Sequence, residues 1–150
     1  MRNYRTSDRS AILDLSERFT EFELPPWRTK REIDETNREA LAAALDAATC
    51  GSVVLVAARE GAFAGFIHLQ TKTDYFTKEN VGYVADIAVH PSHEGMGVAG
   101  RLLEAGQVWA KGNGLNTLTL QVFDGNDRAA RLYEKAGFMR EVVQYTKRVE

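Results

Sequence analysis

The stretch from Val84 to Leu103, VADIAVHPSHEGMGVAGRLL, constrains the fold more than any other part of the chain. Its apolar first half predicts a buried strand, Pro91 ends that strand, and a loop with three glycines leads into a helical pattern. At a helix N-terminus the first N–H groups lack intrahelical partners, and glycine lets a ligand approach the main chain. This unit therefore predicts a binding site for an anion such as a diphosphate.

The glycine loop alone fits more than one interpretation. The spacing Gly95-x-Gly97-x-x-Gly100 formally matches the dinucleotide-binding fingerprint, with Asp124 as its ribose-binding acid. The match is poor because His90–Glu94 separates the strand from the first glycine, and because the remaining chain of about 50 residues is too short for a doubly wound sheet and a substrate domain. The glycines would also suit a tight connection without a ligand. The downstream sequence is needed to choose.

A second motif, NDRAARLYEKAGF, occupies Asn126–Phe138. Together with the loop over Glu94–Ala99, it resembles the GNAT superfamily of acyl-CoA N-acyltransferases, whose pattern is a strand, V-x-P, (Q/R)-x-x-G-x-(G/A), then N-x-x-A-x-x-L-Y-E-x-x-G-F. The resemblance is dense over Val81–Phe138 and thin before it. Glu94 stands where the family usually has Gln or Arg. An acid beside a diphosphate is unfavourable, so we expect Glu94 to lower coenzyme affinity or to turn outward.

The resemblance implies a coenzyme slot along the strand, the loop and the second motif. The diphosphate would bind main-chain N–H groups of the loop, the pantetheine arm would lie beside the strand, and a backbone N–H near Val89 would polarise the thioester carbonyl. Asn126 would contact the coenzyme, cap its helix, or do both. The predicted cofactor-binding residues are Ile87, Ala88, Val89, Gly95, Met96, Gly97, Val98, Ala99, Gly100 and Asn126. Acetyl-CoA is the implied cosubstrate.

Tyr133 and Asp86 are the predicted catalytic residues. Tyr133 holds the tyrosine position of the second motif, where the resemblance implies the general acid, and a phenol is protonated at neutral pH because its unperturbed pKa is about 10. Its spacing alone would equally fit a core tyrosine. Asp86 is an acid inside an apolar strand, where it must be paired, exposed to a cleft or protonated. It is either the base or a solvated edge residue. Some family members use a Glu at the position of Gln121, which cannot accept a proton.

No metal site is predicted, because His68, His90 and His93 lack metal-ligand spacing. The chain also lacks a nucleophile motif, so direct transfer without a covalent enzyme intermediate is expected.

The segment between the first two helices is predicted to select the acceptor. Glu21 and Glu23 would form an acidic mouth with Asp86 that favours cations. The aromatic candidates for its wall are Phe22, Trp27 and Tyr75. Arg28 would pair with one of those acids or receive an acceptor's carboxylate. The alternative is that the acids keep a proline turn soluble while the aromatics fill the core. The predicted substrate-binding residues are Glu23, Trp27 and Arg28.

Length and composition limit the remaining possibilities. The 150 residues suit one domain over 1–150, and a formal charge of −2 without a basic block argues against nucleic acid as a partner. The lone Cys50 fits a reducing cytosol. No apolar run approaches the about 20 residues of a membrane span, and no signal-peptide core precedes the domain. We expect a cytoplasmic protein without a membrane partner, and a homodimer is left open.

The order of elements predicts an α/β fold, a GNAT-like mixed sheet of six to seven strands flanked by about four helices. The predicted strands are Met1–Arg5, Ser52–Arg59, Ala62–Gln70, Val81–His90, Leu115–Phe123 and one or two within Phe138–Val149. The predicted helices follow Ser7 or Asp8 and cover about Lys30–Ala48, Gly97–Lys111 and Asn126–Ala136.

Three functions fit these features. The first is an acetyl-CoA-dependent N-acetyltransferase that acts on a primary amine of a small molecule, polyamine-like or aminoglycoside-like. The second is a non-catalytic coenzyme-binding or regulatory domain, which Glu94 and Gln121 keep open. The third is acetylation of protein N-termini or lysines, and Gln121 weakens the ribosomal-protein version of it.

Overall fold

A five-stranded mixed sheet organises the structure, a computed structural model that describes residues 1–47 and 49–150. Its strands follow one another in sequence order: β1 (Arg2–Asn3), β2 (Ser52–Arg59), β3 (Ala62–Thr73), β4 (Asn80–Val89) and β5 (Leu118–Leu120). The first four pair antiparallel, and β5 pairs parallel with β4. The helices are α1 (Arg9–Leu15), α2 (Lys30–Asp46), α3 (Val98–Gly112) and α4 (Asp127–Lys135).

The helices cover both faces of the sheet. Adjacent residues of a strand point to opposite faces, so the neighbours Phe66 and Ile67 on β3 belong to different hydrophobic layers. The first layer joins α1 and α2 to the sheet through Ile12, Leu13, Leu15, Leu41, Val54, Val56, Phe66 and Ala88. The second layer joins α3 to the sheet through Ile67, Leu69, Val84, Val98, Leu102 and Leu103, and α4 packs against it through Leu132 and Tyr133.

β4 contains a bulge at its middle. His68 of β3 lies opposite Asp86, but the next residue, Leu69, lies opposite Val84, so Ala85 is an extra residue in β4. A bulge bends its strand and re-aims the side chains next to it. The ladder between β4 and β5 also ends at Val84. The two halves of β4 therefore differ. Before the bulge β4 pairs with both β3 and β5, and after the bulge it pairs with β3.

Glycine lets α3 lie close to the sheet. A Cβ added to Gly106 would lie 3.2 Å from a side-chain carbon of Leu69 on β3. Most other side chains would hold the helix further from the sheet. The N-terminus of α3 lies in the glycine loop. Gly106 therefore allows the middle of α3 to approach β3 closely.

The predicted count of six to seven strands is wrong, since the described residues form a sheet of five. The terminal strands expected within Phe138–Val149 are absent, and residues 139–150 are exposed without regular secondary structure. β-branched residues such as Val142 and Val143 favour strands only where a neighbour supplies hydrogen bonds and packing. The nearest strand in sequence, β5, has only three residues instead of the predicted Leu115–Phe123.

The remaining elements lie close to their predicted positions. β3 extends to Thr73, and the four predicted helices are present. The predicted end of the second helix at Ala48 lies outside the described residues, and the described helix ends at Asp46. Among the described residues, none of the helices combines the length and the apolarity that a membrane crossing requires.

Candidate active site

The second half of β4 has a free edge. From Ile87 to Val89, no strand among the described residues pairs with it on the side away from β3. The N–H of His90 donates to Ala64 O at 2.8 Å, and the main chain of an antiparallel strand points to its two sides alternately. The N–H and C=O of Val89 therefore point to the free edge. The Val89 N–H is therefore available to a ligand that lies in the plane of the sheet, whereas the Val89 C=O already accepts a hydrogen bond from Arg18.

The glycine loop follows this edge and starts α3. Gly95 and Gly97 have φ of 72° and 74°, a left-handed conformation that other residues rarely adopt. A Cβ built on Gly95, Gly97 or Gly100 would meet nothing within 4 Å. The main chain at the start of α3 is therefore accessible, as an anion site on backbone N–H groups requires. Met96 is 47% exposed, whereas the Val98 side chain is buried in the second layer and leaves only its backbone to a ligand.

Glu94 lies inside a cluster of charges. Arg18 pairs with Glu94, and Arg128 Nη2 lies 3.0 Å from Glu94 Oε1. The adjacent guanidinium groups of Arg18 and then Arg128 hold the pKa of Glu94 below its usual range. The positive charges of Arg18 and Arg128 thus compensate the negative charge of Glu94, the residue that departs from the family pattern. Neither arginine was singled out by the sequence analysis, because each comes from an element distant in the chain.

Arg18 also contacts β4. It belongs to a short 3-10 turn, Ser16–Thr20, that follows α1. Its Nη1 donates to Val89 O at 2.6 Å, and its Nη2 donates to Glu21 at 2.9 Å. Because Glu21 neutralises part of this guanidinium, it is not a free acid of the predicted acidic mouth. Arg18 links the free edge of β4 to the start of the segment predicted to bind the acceptor.

Asp86 belongs to a line of polar side chains that crosses three strands. His68 Nδ1 lies 2.8 Å from Asp86 Oδ2, and His68 Nε2 lies 3.0 Å from Ser52 Oγ. The His68 side chain is only 2% exposed, and that of Asp86 is 17% exposed. Asp86 is therefore a paired, largely buried carboxylate, and the interpretation as a solvated edge residue is wrong. Period-two alternation could have assigned His68 to the same face of the sheet as the core residue Phe66.

Tyr133 and Asn126 lie on the second motif as predicted. Asn126 caps α4, since its Oδ1 accepts the N–H of Ala129 at 3.2 Å. The Tyr133 ring packs against the second layer and against Phe138, with ring centroids 6.1 Å apart. Burial raises the pKa of the Tyr133 phenol, so the phenol carries its proton at neutral pH. It can act as an acid. Contact of either residue with a coenzyme stays a prediction.

The segment between α1 and α2 packs against the connection from β5 to α4. The rings of Phe22 and Phe123 have centroids 5.7 Å apart, and a Cβ on Gly125 would lie 3.5 Å from the carbonyl oxygen of Glu23. Two chain segments that are distant in sequence thus meet at this end of the sheet. Phe22 is half-buried, so it contributes to packing, and its role in the wall of an acceptor site stays a prediction.

The other predicted acceptor residues are more dispersed. Trp27 is 40% exposed, Tyr75 is 78% exposed, and Glu23 is exposed. Arg28 Nη1 lies 3.6 Å from Glu32 on the first turn of α2. Within residues 1–47 and 49–150, no hydrogen bond or ion pair joins Glu23, Trp27 or Arg28 to Asp86. Their role in binding an acceptor stays a prediction.

Comparison with known proteins identifies the family to which the chain is similar. The model of the acetyltransferase (GNAT) family matches residues 12–138. A Bacillus subtilis (strain 168) protein described as uncharacterized N-acetyltransferase YhfO is 33% identical over 139 residues, which cover 92% of this chain and 88% of that protein.

Two solved structures resemble the fold closely. One is a putative acetyl transferase from Pyrococcus furiosus, with a TM-score of 0.75, 22% identity and coverage of 96% of this chain and 95% of that one. The other is AAC(6')-Iy in complex with a bisubstrate analog, CoA-S-monomethyl-acetylneamine, with a TM-score of 0.69, 21% identity and coverage of 99% and 97%. The free edge, the accessible glycine loop and these matches agree, and the chain belongs to the acetyltransferase (GNAT) family, whose N-acetyltransferases use acetyl-CoA.

Proposed function

We propose that this protein transfers the acetyl group of acetyl-CoA directly to a primary amine of a small, cationic molecule. The observation that carries the proposal is the free edge of β4 at Ile87–Val89, which runs into the accessible glycine loop at Gly95–Gly100. A pantetheine arm offers amide groups that can pair with the edge, and a diphosphate can bind the backbone N–H groups that begin α3. One continuous strip of main chain thus fits one coenzyme.

The chain's own groups supply the chemistry around the thioester. Acetyl-CoA supplies an acyl carbon to which the amine nitrogen bonds as the carbon–sulfur bond breaks. The Val89 N–H points to the free edge, where it can donate to the thioester oxygen and stabilise the developing negative charge. Tyr133 gives its phenol proton to the departing thiolate, and Asp86 accepts the proton that the amine loses. The products are an amide and coenzyme A with a free thiol.

The proposed preference for a cation rests on two observations. AAC(6')-Iy, an aminoglycoside N-acetyltransferase, shares the fold over 99% of this chain. Glu23 is exposed beside the connection that leads to α4, so its carboxylate is available to a cation. Glu21 contributes less, because Arg18 pairs with it. We therefore assign the substrate-binding role to Glu23, with Trp27 as an apolar surface and Arg28 at the outer rim.

A panel of amines tests the proposal. Release of coenzyme A thiol from acetyl-CoA would be followed with a polyamine, an aminoglycoside, a zwitterionic amino acid and a short peptide as acceptors. We expect the largest kcat/KM for a cationic acceptor. Turnover on the peptide alone would favour a protein acetyltransferase. Binding of acetyl-CoA by calorimetry without turnover on any amine would favour the non-catalytic coenzyme-binding domain.

A further inference from the structure

His68 has two polar partners on opposite sides of its ring. Nδ1 faces Asp86 Oδ2 on β4 at 2.8 Å, and Nε2 faces Ser52 Oγ on β2 at 3.0 Å. His68 lies directly opposite Asp86 in the antiparallel register. The three side chains therefore form one hydrogen-bonded line across β2, β3 and β4. Asp86 is the end of that line next to the free edge of β4.

The neighbours of Nε2 determine which ring nitrogen carries the proton. The side-chain amide nitrogen of Gln70 lies 3.4 Å from His68 Nε2, and an amide NH₂ group can only donate. Ser52 can donate its hydroxyl hydrogen to the same nitrogen. With donors on this side, Nε2 is the accepting nitrogen and Nδ1 carries the hydrogen. The Nδ1–H then points at Asp86 Oδ2.

The line of polar side chains is buried in an apolar environment, which is energetically unfavourable. Such an arrangement suggests a function that requires it. The same face of the sheet is covered by α1 and α2 through apolar side chains, and the residues next to the line on this face are Val54 and Phe66. Burying a carboxylate and an imidazole there is unfavourable unless each is hydrogen-bonded. The titratable groups beside Asp86 are His68 and Tyr83. Burial, and then the charge of Asp86, raise the pKa of Tyr83.

We propose that His68 is a positioning residue for the catalytic base Asp86, and that Ser52 holds His68 in turn. The inference rests on the proposed function. The Nδ1–H of His68 occupies Oδ2, which leaves Oδ1 of the same carboxylate to accept the proton of the acceptor amine. The bulge at Ala85 aims the carboxylate, and the imidazole fixes its rotation. Asp86 thereby keeps one oxygen directed at the reacting nitrogen in every turnover.

Two substitutions of His68 separate positioning from packing. His68→Leu keeps much of the volume and removes the donor, whereas His68→Asn is smaller but retains an N–H near the position of Nδ1. We expect His68→Leu to lower kcat by about tenfold or more, because displacing a reacting group by about 1 Å can cost 10²-fold. We expect His68→Asn to recover part of that loss, and Ser52→Ala to lose less than His68→Leu. The KM for acetyl-CoA should not change.

A packing control separates loss of the donor from loss of buried volume. Phe66→Leu is the matched control, since Phe66 is fully buried on the same strand and the same face. It should lower the melting temperature but leave kcat closer to the wild-type value than His68→Leu does. If His68→Asn is as impaired as His68→Leu, or if Phe66→Leu lowers kcat as much as His68→Leu does, His68 has only a packing role.

The ring itself can be observed without any substrate. In protein labelled with ¹⁵N-histidine, NMR should show the His68 proton on Nδ1 in the unliganded state. A proton on Nε2 alone would overturn the proposed arrangement. Absence of turnover by the wild-type protein on every amine would instead contradict the proposed function, and the NMR result would then still describe the His68–Asp86 pair.

Discussion

The proposed coenzyme half of the molecule and its proposed acceptor half are built on different principles. The coenzyme half, formed by the end of β4, the glycine loop, α3 and α4, presents main chain: a free strand edge and a helix start that glycines leave open. The acceptor half, formed by α1, the segment to α2, and α2 itself, meets the site through side chains such as Arg18 and Phe22. Main-chain recognition tolerates many sequences with the right glycines. Side-chain recognition requires each partner individually.

The largest expected effect concerns Tyr133 in the coenzyme half. Tyr133→Phe removes one oxygen and keeps the ring that packs against Phe138. We expect kcat to fall by about 10²-fold or more, with an unchanged Kd for acetyl-CoA. Because burial raises the phenol pKa, the wild-type protein should keep its acid form, and its activity, up to a pH above the ordinary tyrosine range. Stopped-flow thiol release across pH measures both effects, and full activity of the variant would exclude Tyr133 as the acid.

Substitutions at the two ends of α3 test the main-chain site. Gly100→Leu and Gly112→Leu both add a side chain where a Cβ would meet nothing within 4 Å, and neither glycine has a positive φ. Leucine suits a helix, so both variants should fold. We expect Gly100→Leu to weaken coenzyme binding at least about tenfold, or about 1.4 kcal/mol. Gly112→Leu, at the far end, should bind as the wild type does. Equal calorimetric affinities in the two variants would place the diphosphate elsewhere.

The contact between the two halves is tested at Arg18. In Arg18→Gln, Glu94 retains Arg128 but loses the partner that most lowers its pKa, so negative charge increases beside the loop. We expect a several-fold weaker affinity for acetyl-CoA, most evident at low salt. The double variant Arg18→Gln with Glu94→Gln should recover most of that affinity. If the double variant is no better than Arg18→Gln alone, the effect comes from the lost contact with Val89 and not from charge.

The smallest effect is on stability and concerns Asp8, directly before α1. Asp8 is buried, and hydrogen bonds from Arg2 and then from the Arg5 backbone lower its pKa. A carboxylate whose pKa is lower in the folded state stabilises the protein above the unfolded pKa, and this stabilisation is lost as pH falls through the folded value. Asp8→Asn should therefore lower the melting temperature at neutral pH. The difference in melting temperature between the variant and the wild type should become smaller as the pH falls. A constant difference down to acidic pH would exclude this linkage.

The same contrast explains what the sequence could predict. The strand, the glycine loop and the start of α3 were predictable because local patterning and backbone conformation determine them, and Gly97 has the positive φ that its position requires. Asn126 was predictable as a helix cap for the same reason. Arg18 was not, because its partners Val89 and Glu94 are more than seventy positions away in the chain. No local pattern marks such a contact.

The prediction of strands in the terminal segment was wrong, and the His68–Asp86 pair was missed, for related reasons. Val142 and Val143 have high strand propensity, but propensity does not supply the hydrogen-bonding neighbour that a strand needs. His68 was considered only as a metal ligand, and its pairing with Asp86 depends on the register between β3 and β4. That register includes a bulge, which shifts every later pair by one residue and which the alternation of apolar residues does not reveal.

The free edge of β4 has a consequence for the behaviour of the protein when acetyl-CoA is scarce. Unpaired strand edges are templates for pairing with other chains, and no strand in the described part of the chain pairs with this edge beyond Val84. A coenzyme bound there would act as a temporary extra strand. We expect the amide hydrogen of Val89 to exchange rapidly with solvent in the free protein and slowly once acetyl-CoA is bound, and we expect the ligand to suppress aggregation on storage. The cosubstrate would then act as a folding partner in addition to its part in the reaction.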